Sequence, residues 1–286
     1  MRKTTLFKKF MLDKEILVMP GVHDALAAKM AELAGMKAVC AGGYGASASL
    51  LGKPDIALLT QTEMVDQVRR IAESVELPVF ADGDTGHGGI SNIQRTVKLF
   101  EGAGAAGMFI EDQLSPKRCG HMDGKQVVSS GEMIFRLQAA LDARNDPDFT
   151  IMARTDALAV YGLDEAIKRA VLYREAGADA LFVESPRSID EMKRITSEIP
   201  APTMAVYLEG GKTPLLSAKE FESIGFSIVA YAASSVYASA FAMYEVFKEI
   251  ILGGHTVNSQ MRMIPFSDFN EMLGLSKIRK LEKKYS

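Results

Sequence analysis

The stretch L-D-E-A-I-K-R-A-V-L-Y-R-E-A-G at 163–177, with A-L-F-V-E-S following at 180–185, decides the fold. Its first part places apolar residues at helical spacing and ends in glycine, where a helix C-terminus needs a left-handed residue. The second part is a short apolar run with a polar end, which reads as a buried strand. Working outward, the same unit recurs. H-D-A-L-A-A-K-M-A-E-L-A-G at 23–35 precedes A-V-C-A-G, N-I-Q-R-T-V-K-L-F-E-G-A-G at 92–104 precedes G-M-F-I-E-D, and S-A-K-E-F-E-S-I-G at 217–225 precedes S-I-V-A-Y.

Filling the gaps predicts strands near 16–19, 38–41, 79–81, 108–110, 151–153, 181–183, 204–207 and 228–231. They alternate with helices and lack the every-other-residue polarity of a one-sided sheet, so both faces are buried in a parallel arrangement. A (β/α)8 TIM-type barrel follows, read as one domain over 1–286 that includes a C-terminal helical extension. A doubly wound open sheet, with about six strands, leaves two apolar runs unplaced. The extension opens with the apolar-rich helix S-S-V-Y-A-S-A-F-A-M-Y-E-V-F-K-E-I-I-L-G-G, and 263–266 and Phe269 beyond it are also apolar. These residues either pack on their own barrel or dock on a neighbouring subunit.

Composition narrows the function. With 286 residues the chain buries a full core without disulfide or metal staples. Lys and Arg total 33 against 36 Asp and Glu, with no like-charge block longer than a pair, which argues against nucleic acid and anionic membrane as partners. Cys40 and Cys119 cannot form a disulfide framework, and charges interrupt every apolar run of M-R-K-T-T-L-F-K-K-F-M-L-D-K-E. The expectation is a cytoplasmic protein with no signal peptide and no membrane span.

In such a barrel the chemistry sits at the C-terminal strand ends. There the sequence places Asp82 and Asp84, then Glu111 and Asp112, then Arg154, Thr155 and Asp156, then Glu184, then Glu209. Asp82 and Asp84, at i and i+2, point the same way, and Glu111 reaches the same space from the next strand. Three carboxylates on adjacent strands suit Mg²⁺ or Mn²⁺, and without a cation their repulsion costs stability. The local alternative is that Asp82 or Asp84 caps a turn. The segment E-D-Q-L-S-P-K-R-C-G-H-M-D-G-K-Q-V from 111 is longer than an ordinary connection and reads as a lid. Within it, Lys117, Arg118 and His121 surround Cys119 with cations, an arrangement expected to lower the thiol pKa. Cys40, inside an apolar run, reads as a packing residue. No histidine has a partner at zinc spacing, and the glycines of 83–89 lack a phosphate-loop pattern.

K-R-C-G-H at 117–121, preceded by I-E-D-Q at 110–113, together with D-G-D at 82–84, M-A-R-T-D-A at 152–157 and L-G-K-P-D at 51–55, resembles the isocitrate lyase/phosphoenolpyruvate mutase superfamily over nearly the whole chain. Within it the resemblance points to the carbon–carbon lyase branch, which includes 2-methylisocitrate lyase, 2,3-dimethylmalate lyase and oxaloacetate hydrolase. It implies Mg²⁺-dependent retro-aldol cleavage of a 2-hydroxy dicarboxylate or tricarboxylate, with Asp82, Asp84 and Glu111 on the metal. It also implies Cys119, His121, Lys117, Arg154 and Glu184 as catalytic residues. Substrate contacts are implied for Ala41, Gly42, Gly43, Asp55, Gly120, Arg154 and Glu184, and a homotetramer for the assembly.

Departures shape the expected substrate. Methylisocitrate lyases carry S-G-G where this chain has Ala41-Gly42-Gly43, and N-x-x-E-F-G where it has Val206-Tyr207-Leu208-Glu209-Gly210-Gly211. Two arginines that serve the third carboxylate fall at Tyr237 and Phe266. A smaller, less charged acid follows, with 2,3-dimethylmalate first and oxaloacetate or 2-methylisocitrate as alternatives. A reading from another class is a metabolite-binding barrel without turnover.

Overall fold

The computed structural model describes all 286 residues. Eight strands form one sheet in the order β1-β8-β7-β6-β5-β4-β3-β2. They are β1 (Leu17–Pro20), β2 (Val39–Ala41), β3 (Val79–Asp82), β4 (Gly107–Glu111), β5 (Thr150–Thr155), β6 (Ala180–Val183), β7 (Thr203–Tyr207) and β8 (Ile228–Tyr231). Every ladder is parallel. Between β1 and β2 a bridge joins Gly21 and Cys40, where the Val22 N–H donates to the Cys40 carbonyl at 2.8 Å, so the sheet closes into a barrel.

Helices fill the connections: α1 (Lys3–Met11), α2 (Ala25–Leu33), α3 (Gly43–Leu51), α4 (Gln61–Ser74), α5 (Ile90–Gly102), α6 (Ser130–Ala143), α7 (Ala157–Tyr161), α8 (Leu163–Glu175), α9 (Ile189–Glu198) and α10 (Ala218–Ile224). After β8 come α11 (Ser234–Gly253), α12 (Phe266–Met272) and α13 (Leu275–Tyr285). The expected barrel with a helical extension is the observed fold, with strand ends displaced by at most two residues. The glycines that end the repeating helices do so by left-handed backbone: Gly35, Gly104, Gly177 and Gly225 have φ of +86°, +88°, +107° and +110°. Helix starts are equally local. Asp24 accepts from the Ala27 N–H, and Thr60–Glu63 and Ser217–Glu220 form capping boxes.

Strand pleating sorts the core into two clusters. Val79, Ala81, Met108, Ile110, Ile151, Ala153, Leu181 and Val183 face outward into the packing between sheet and helices. Phe80, Phe109, Met152, Phe182, Met204 and Ile228 face inward and fill the barrel. Because successive side chains alternate, the next inward positions up the strands are Asp82, Glu111, Arg154 and Glu184. The parity that packs phenylalanines inside therefore delivers charged groups to the barrel's C-terminal end. At the opposite end α1 adds Phe7 and Met11 to the inner cluster, and Phe7 stacks on Phe80 with ring centroids 5.0 Å apart.

The chain divides into two compact units, Met1–Val236 with the barrel and Tyr237–Ser286. In the second, Phe241, Tyr244, Phe247 and Ile251 are 65%, 62%, 59% and 84% exposed, a run of apolar side chains open along one helix. No helix is long and apolar enough to cross a membrane.

Truncating the α1 plug should be costly because Phe7 is wholly buried in the inner cluster. Phe7→Ala is expected to lower unfolding free energy by about 3–5 kcal/mol in urea titrations followed by circular dichroism. A loss below about 1 kcal/mol would show that α1 is not part of the core.

Candidate active site

Arg154, fully inside the barrel mouth, is the most constrained of these groups. Its guanidinium lies 5.3 Å from the Phe182 ring centroid and 5.7 Å from that of Phe109. Nε donates to Asp156 Oδ2 at 2.9 Å and Nη2 to Asp156 Oδ1 at 3.2 Å, a two-point hold. Nη1 is 3.1 Å from Glu111 Oε2, and Nη2 is 3.2 Å from Glu184 Oε2. Burial works against the charge, but Asp156, Glu111 and Glu184 outweigh it and hold the pKa well above the ordinary arginine value. Asp156 stays ionised because Arg154 and Lys125 overcome its burial.

A carboxylate cluster adjoins this cation. Asp82 accepts the Gly43 N–H on Oδ2 and the Asp84 N–H on Oδ1, both at 2.9 Å, so the turn-capping reading is true of it. Asp84, in left-handed backbone at φ +48°, lies with Oδ1 2.7 Å from Lys117 Nζ. Lys117 is buried and also donates to Asp55 Oδ1 and Oδ2 at 2.8 and 2.9 Å. Although burial works against its charge, Asp84, Asp82, Glu111 and Asp55 hold its pKa well above that of a free lysine.

Glu111 is completely buried, and neither of its oxygens accepts a well-aligned hydrogen bond. Burial pushes its pKa well up, Asp156 and Asp82 add to this, and Arg154 and Lys117 oppose it. Asp82, Asp84 and Glu111 are not drawn together into a ready-made ligand shell. The Lys117 ammonium sits between Asp55 and Asp84 instead. Surplus buried negative charge, with Glu111 Oε1 accepting no hydrogen bond, nonetheless fits a divalent cation of the Mg²⁺ type.

The long connection from β4 to α6 folds over this mouth. Gln113 and Val127 form an antiparallel bridge across its base, and the Gln113 side chain pairs with the Arg118 backbone at 2.9 and 3.0 Å. At its tip the Cys119 N–H donates to the Asp55 carbonyl at 3.2 Å. His121 Nδ1 accepts the Lys212 N–H at 3.0 Å, which leaves the proton of the neutral ring on Nε2, 3.3 Å from Glu184 Oε1. Burial, then the Arg154, Lys125 and Lys212 charges, push the His121 pKa down against Glu184.

The expectation for Cys119 is corrected here: its pKa is raised, not lowered. Burial is the main cause; Glu184 and Asp55 add to it, against the His121 backbone and Arg154. Cations that neighbour it in sequence point elsewhere. Lys117 is held by Asp55 and Asp84, Arg118 Nη1 donates to the Asp123 carbonyl, and His121 is held neutral by its surroundings. Cys119 is therefore a neutral thiol.

One cavity brings together Gly42, Gly43, Asp55, Asp82, Cys119, Gly120, His121, Arg154 and Glu184, with Phe182, Met204, Val206 and Leu208 as an apolar wall. Asp84, Glu111 and Lys117 are not in the lining and reach it through Asp82, Arg154 and Asp55. Ala41 does not line it: strand parity turns Ala41 into the outer core, and Cys40 lines the cavity instead. Cys40 is buried as expected, its thiol pushed up to about 12 by burial and by Asp82. Glu209 accepts from Ser234 at 2.6 Å and is not in the lining.

Sequence reasoning missed three supports. Asp112 is a hub that accepts from Thr155 Oγ1, the Asp156 N–H, Arg169 Nη1 and Tyr173 OH at 2.7, 2.9, 3.1 and 2.9 Å. Lys125 and Ser185 both reach the Gly120 carbonyl of the lid. Asp112 and Lys125 stood within the motifs, but nothing in their spacing told buried buttress from solvated loop.

Comparison with known proteins places this geometry in context. A family model described as phosphoenolpyruvate phosphomutase matches residues 7–251. The chain is 45% identical over 286 residues to 2,3-dimethylmalate lyase of Eubacterium barkeri, covering 100% of this chain and 99% of that one. It is 38% identical over 268 residues to 2-methylisocitrate lyase of Shewanella oneidensis, covering 94% and 92%. Oxaloacetate acetylhydrolase in complex with 3,3-difluorooxalacetate superposes with a TM-score of 0.94 at 32% identity, covering 99% and 97% of the two chains.

The raised thiol gives a direct test. The pH dependence of iodoacetamide labelling, read on the Cys119 peptide by mass spectrometry, should have a midpoint above the about 8.5 of free cysteine. A midpoint at or below that value would mean that neighbouring cations outweigh burial.

Proposed function

Since the chain belongs to the phosphoenolpyruvate mutase/isocitrate lyase superfamily, we propose that it is a Mg²⁺-dependent carbon–carbon lyase that cleaves a 2-hydroxy dicarboxylate, 2,3-dimethylmalate foremost, to pyruvate and propionate. The observation that carries this reading is the neutral Cys119 thiol in one cavity with the Arg154 guanidinium and an apolar wall. In the reaction the C2–C3 bond breaks, the hydroxyl loses its proton as C2 becomes the oxo carbon, and C3 gains a proton. Asp82, Asp84 and Glu111 would hold Mg²⁺, or Mn²⁺ in its place, which would supply Lewis-acid polarisation of the substrate hydroxyl.

The chain's own residues do the remainder. Arg154 stabilises the negative charge that develops as the bond breaks. Cys119 gives its proton to C3, and the proton lost by the hydroxyl restores the thiol over the full turnover. Lys117 offsets the charge of Asp55 and Asp84 at the edge of the site, while His121 presents an N–H toward Glu184 beside the departing fragment. Gly42 borders open space, whereas Gly43 and Gly120 are packed against carboxylates, Asp82 Oδ2 standing 3.1 Å from where a Gly43 Cβ would lie. At Gly120 an added Cβ would meet Glu184 Cδ at 2.3 Å.

Charge counting supports a dicarboxylate. Arg154 is the guanidinium of the cavity, and with one dication it balances about two carboxylates. Tyr237 and Phe266, at the positions of two arginines in methylisocitrate lyases, offer no further cation. Met204, Val206 and Leu208 fit methyl substituents. A second reading, hydrolysis of oxaloacetate to oxalate and acetate, draws support from the close superposition on oxaloacetate acetylhydrolase.

We further read 1–286 as one domain that works in a cytoplasmic homotetramer, with the helix after β8 exchanged between subunits. The exposed apolar face of α11 supports this. So does the outward pair Tyr207 and Tyr231, stacked at 4.5 Å yet only half-buried.

A coupled assay for pyruvate across substituted malates and 2-methylisocitrate, with oxalate release measured for oxaloacetate, tests the substrate. The expectation is kcat/KM for 2,3-dimethylmalate about a hundredfold or more above that for 2-methylisocitrate, corresponding to roughly 3 kcal/mol of missing pairing. Equal or better cleavage of 2-methylisocitrate would overturn it. Cys119→Ser should retain oxalate binding with Mg²⁺ and fall below about a tenth of the wild-type rate; a faster variant would remove the acid role. Light scattering should find a tetramer, and a monomer at micromolar concentration would contradict the assembly.

A further inference from the structure

The lid carries a buried cation that the chemistry above does not use. The Lys125 side chain is 1% exposed, and its ammonium is 2.8 Å from Asp156 Oδ1. The same ammonium donates to the carbonyl oxygen of Gly120, the residue between Cys119 and His121. From the barrel side, Ser185 Oγ donates to Glu184 Oε1 at 2.7 Å and stands 3.2 Å from that carbonyl, its one proton shared between the two acceptors. Ser185 holds a left-handed backbone, φ +57°, although it is not glycine. Such strain persists only where its surroundings over-determine it, and it collects at functional sites.

A buried lysine is strongly disfavoured unless its charge is matched, and a methionine would fill the same space without that penalty. Here the charge is matched by the carboxylate that also grips Arg154 at two points. Lys125 therefore touches the lid tip through Gly120 and the catalytic guanidinium through Asp156. We propose that Lys125 is a positioning residue that latches the Cys119–His121 segment to the Arg154–Asp156 pair, so that seating the thiol and aiming the guanidinium are a single event. Ser185 is the second half of the latch. The assignment of Cys119 and Arg154 to chemistry rests on the proposed lyase reading; the latch itself does not.

Thiol access separates the two. Iodoacetamide labelling of Cys119 is followed by mass spectrometry in wild type, Lys125→Met and Ser185→Ala, each with melting temperature recorded. Lys125→Met should label at least about tenfold faster and Ser185→Ala at least about threefold faster, with melting temperatures close to wild type. Removing a cation raises a neighbouring thiol pKa and slows labelling, so faster labelling reports an opened lid and not a changed charge. With a substrate that the wild type cleaves, Lys125→Met should lose at least about a hundredfold in kcat while KM changes less than about threefold.

Labelling within threefold of wild type in a folded Lys125→Met protein overturns the latch. If that variant does not fold, unchanged labelling in Ser185→Ala overturns it. Acceleration that appears only with a large fall in melting temperature in both variants assigns a merely structural role and also overturns it. Should no acid be cleaved, the lyase reading fails, and the labelling result still decides the latch.

Discussion

The two-point hold of Asp156 on Arg154 is the interaction on which the mouth of this barrel depends. A guanidinium between two phenylalanine rings at the centre of a barrel would be expelled if its charge were unmatched. Asp156 fixes its plane, and Glu111 and Glu184 meet its free edges. Asp156 is itself fixed, since its N–H donates to Asp112, which is held in turn by Thr155, Arg169 and Tyr173. The direction in which Arg154 points is thus set by a chain of buried contacts that ends in α8.

Charge balance then governs the lid. Asp55, Asp82, Asp84 and Glu111 concentrate negative charge where water is scarce, and burial raises the pKa of Asp84 and Glu111. Lys117 reaches in from the lid to offset part of it, and the remainder fits a divalent cation. Lid position and charge at the mouth are therefore linked: the segment that carries Cys119 also carries Lys117 and Lys125, both of which end on carboxylates of the barrel.

The same burial reverses the expected character of Cys119. A thiol among cations would be a thiolate suited to nucleophilic attack, whereas a buried thiol beside Glu184 keeps its proton. A proton donor to carbon needs that second state. The apolar wall of Met204, Val206 and Leu208 and the single cavity guanidinium complete the lining of the site.

Much of this was legible in the amino-acid sequence. Glycine-ended helices and two-faced apolar strands determined a parallel barrel because helix caps and strand burial are local demands of the backbone. Positions just after the strands put Asp82, Glu111, Arg154 and Glu184 at the mouth, and the folded strands add that all four are inward positions, which repeat every second residue. A motif resemblance placed Ala41 in the site, and the folded strand turns it into the outer core. Only the tertiary structure decided where the lid's cations end, which loop carbonyl Lys125 grips, that Asp112 is a buried hub, and that the Cys119 thiol stays protonated. Those outcomes depend on distances between segments far apart in the chain and on how much water they exclude. Neighbours in sequence do not fix either quantity.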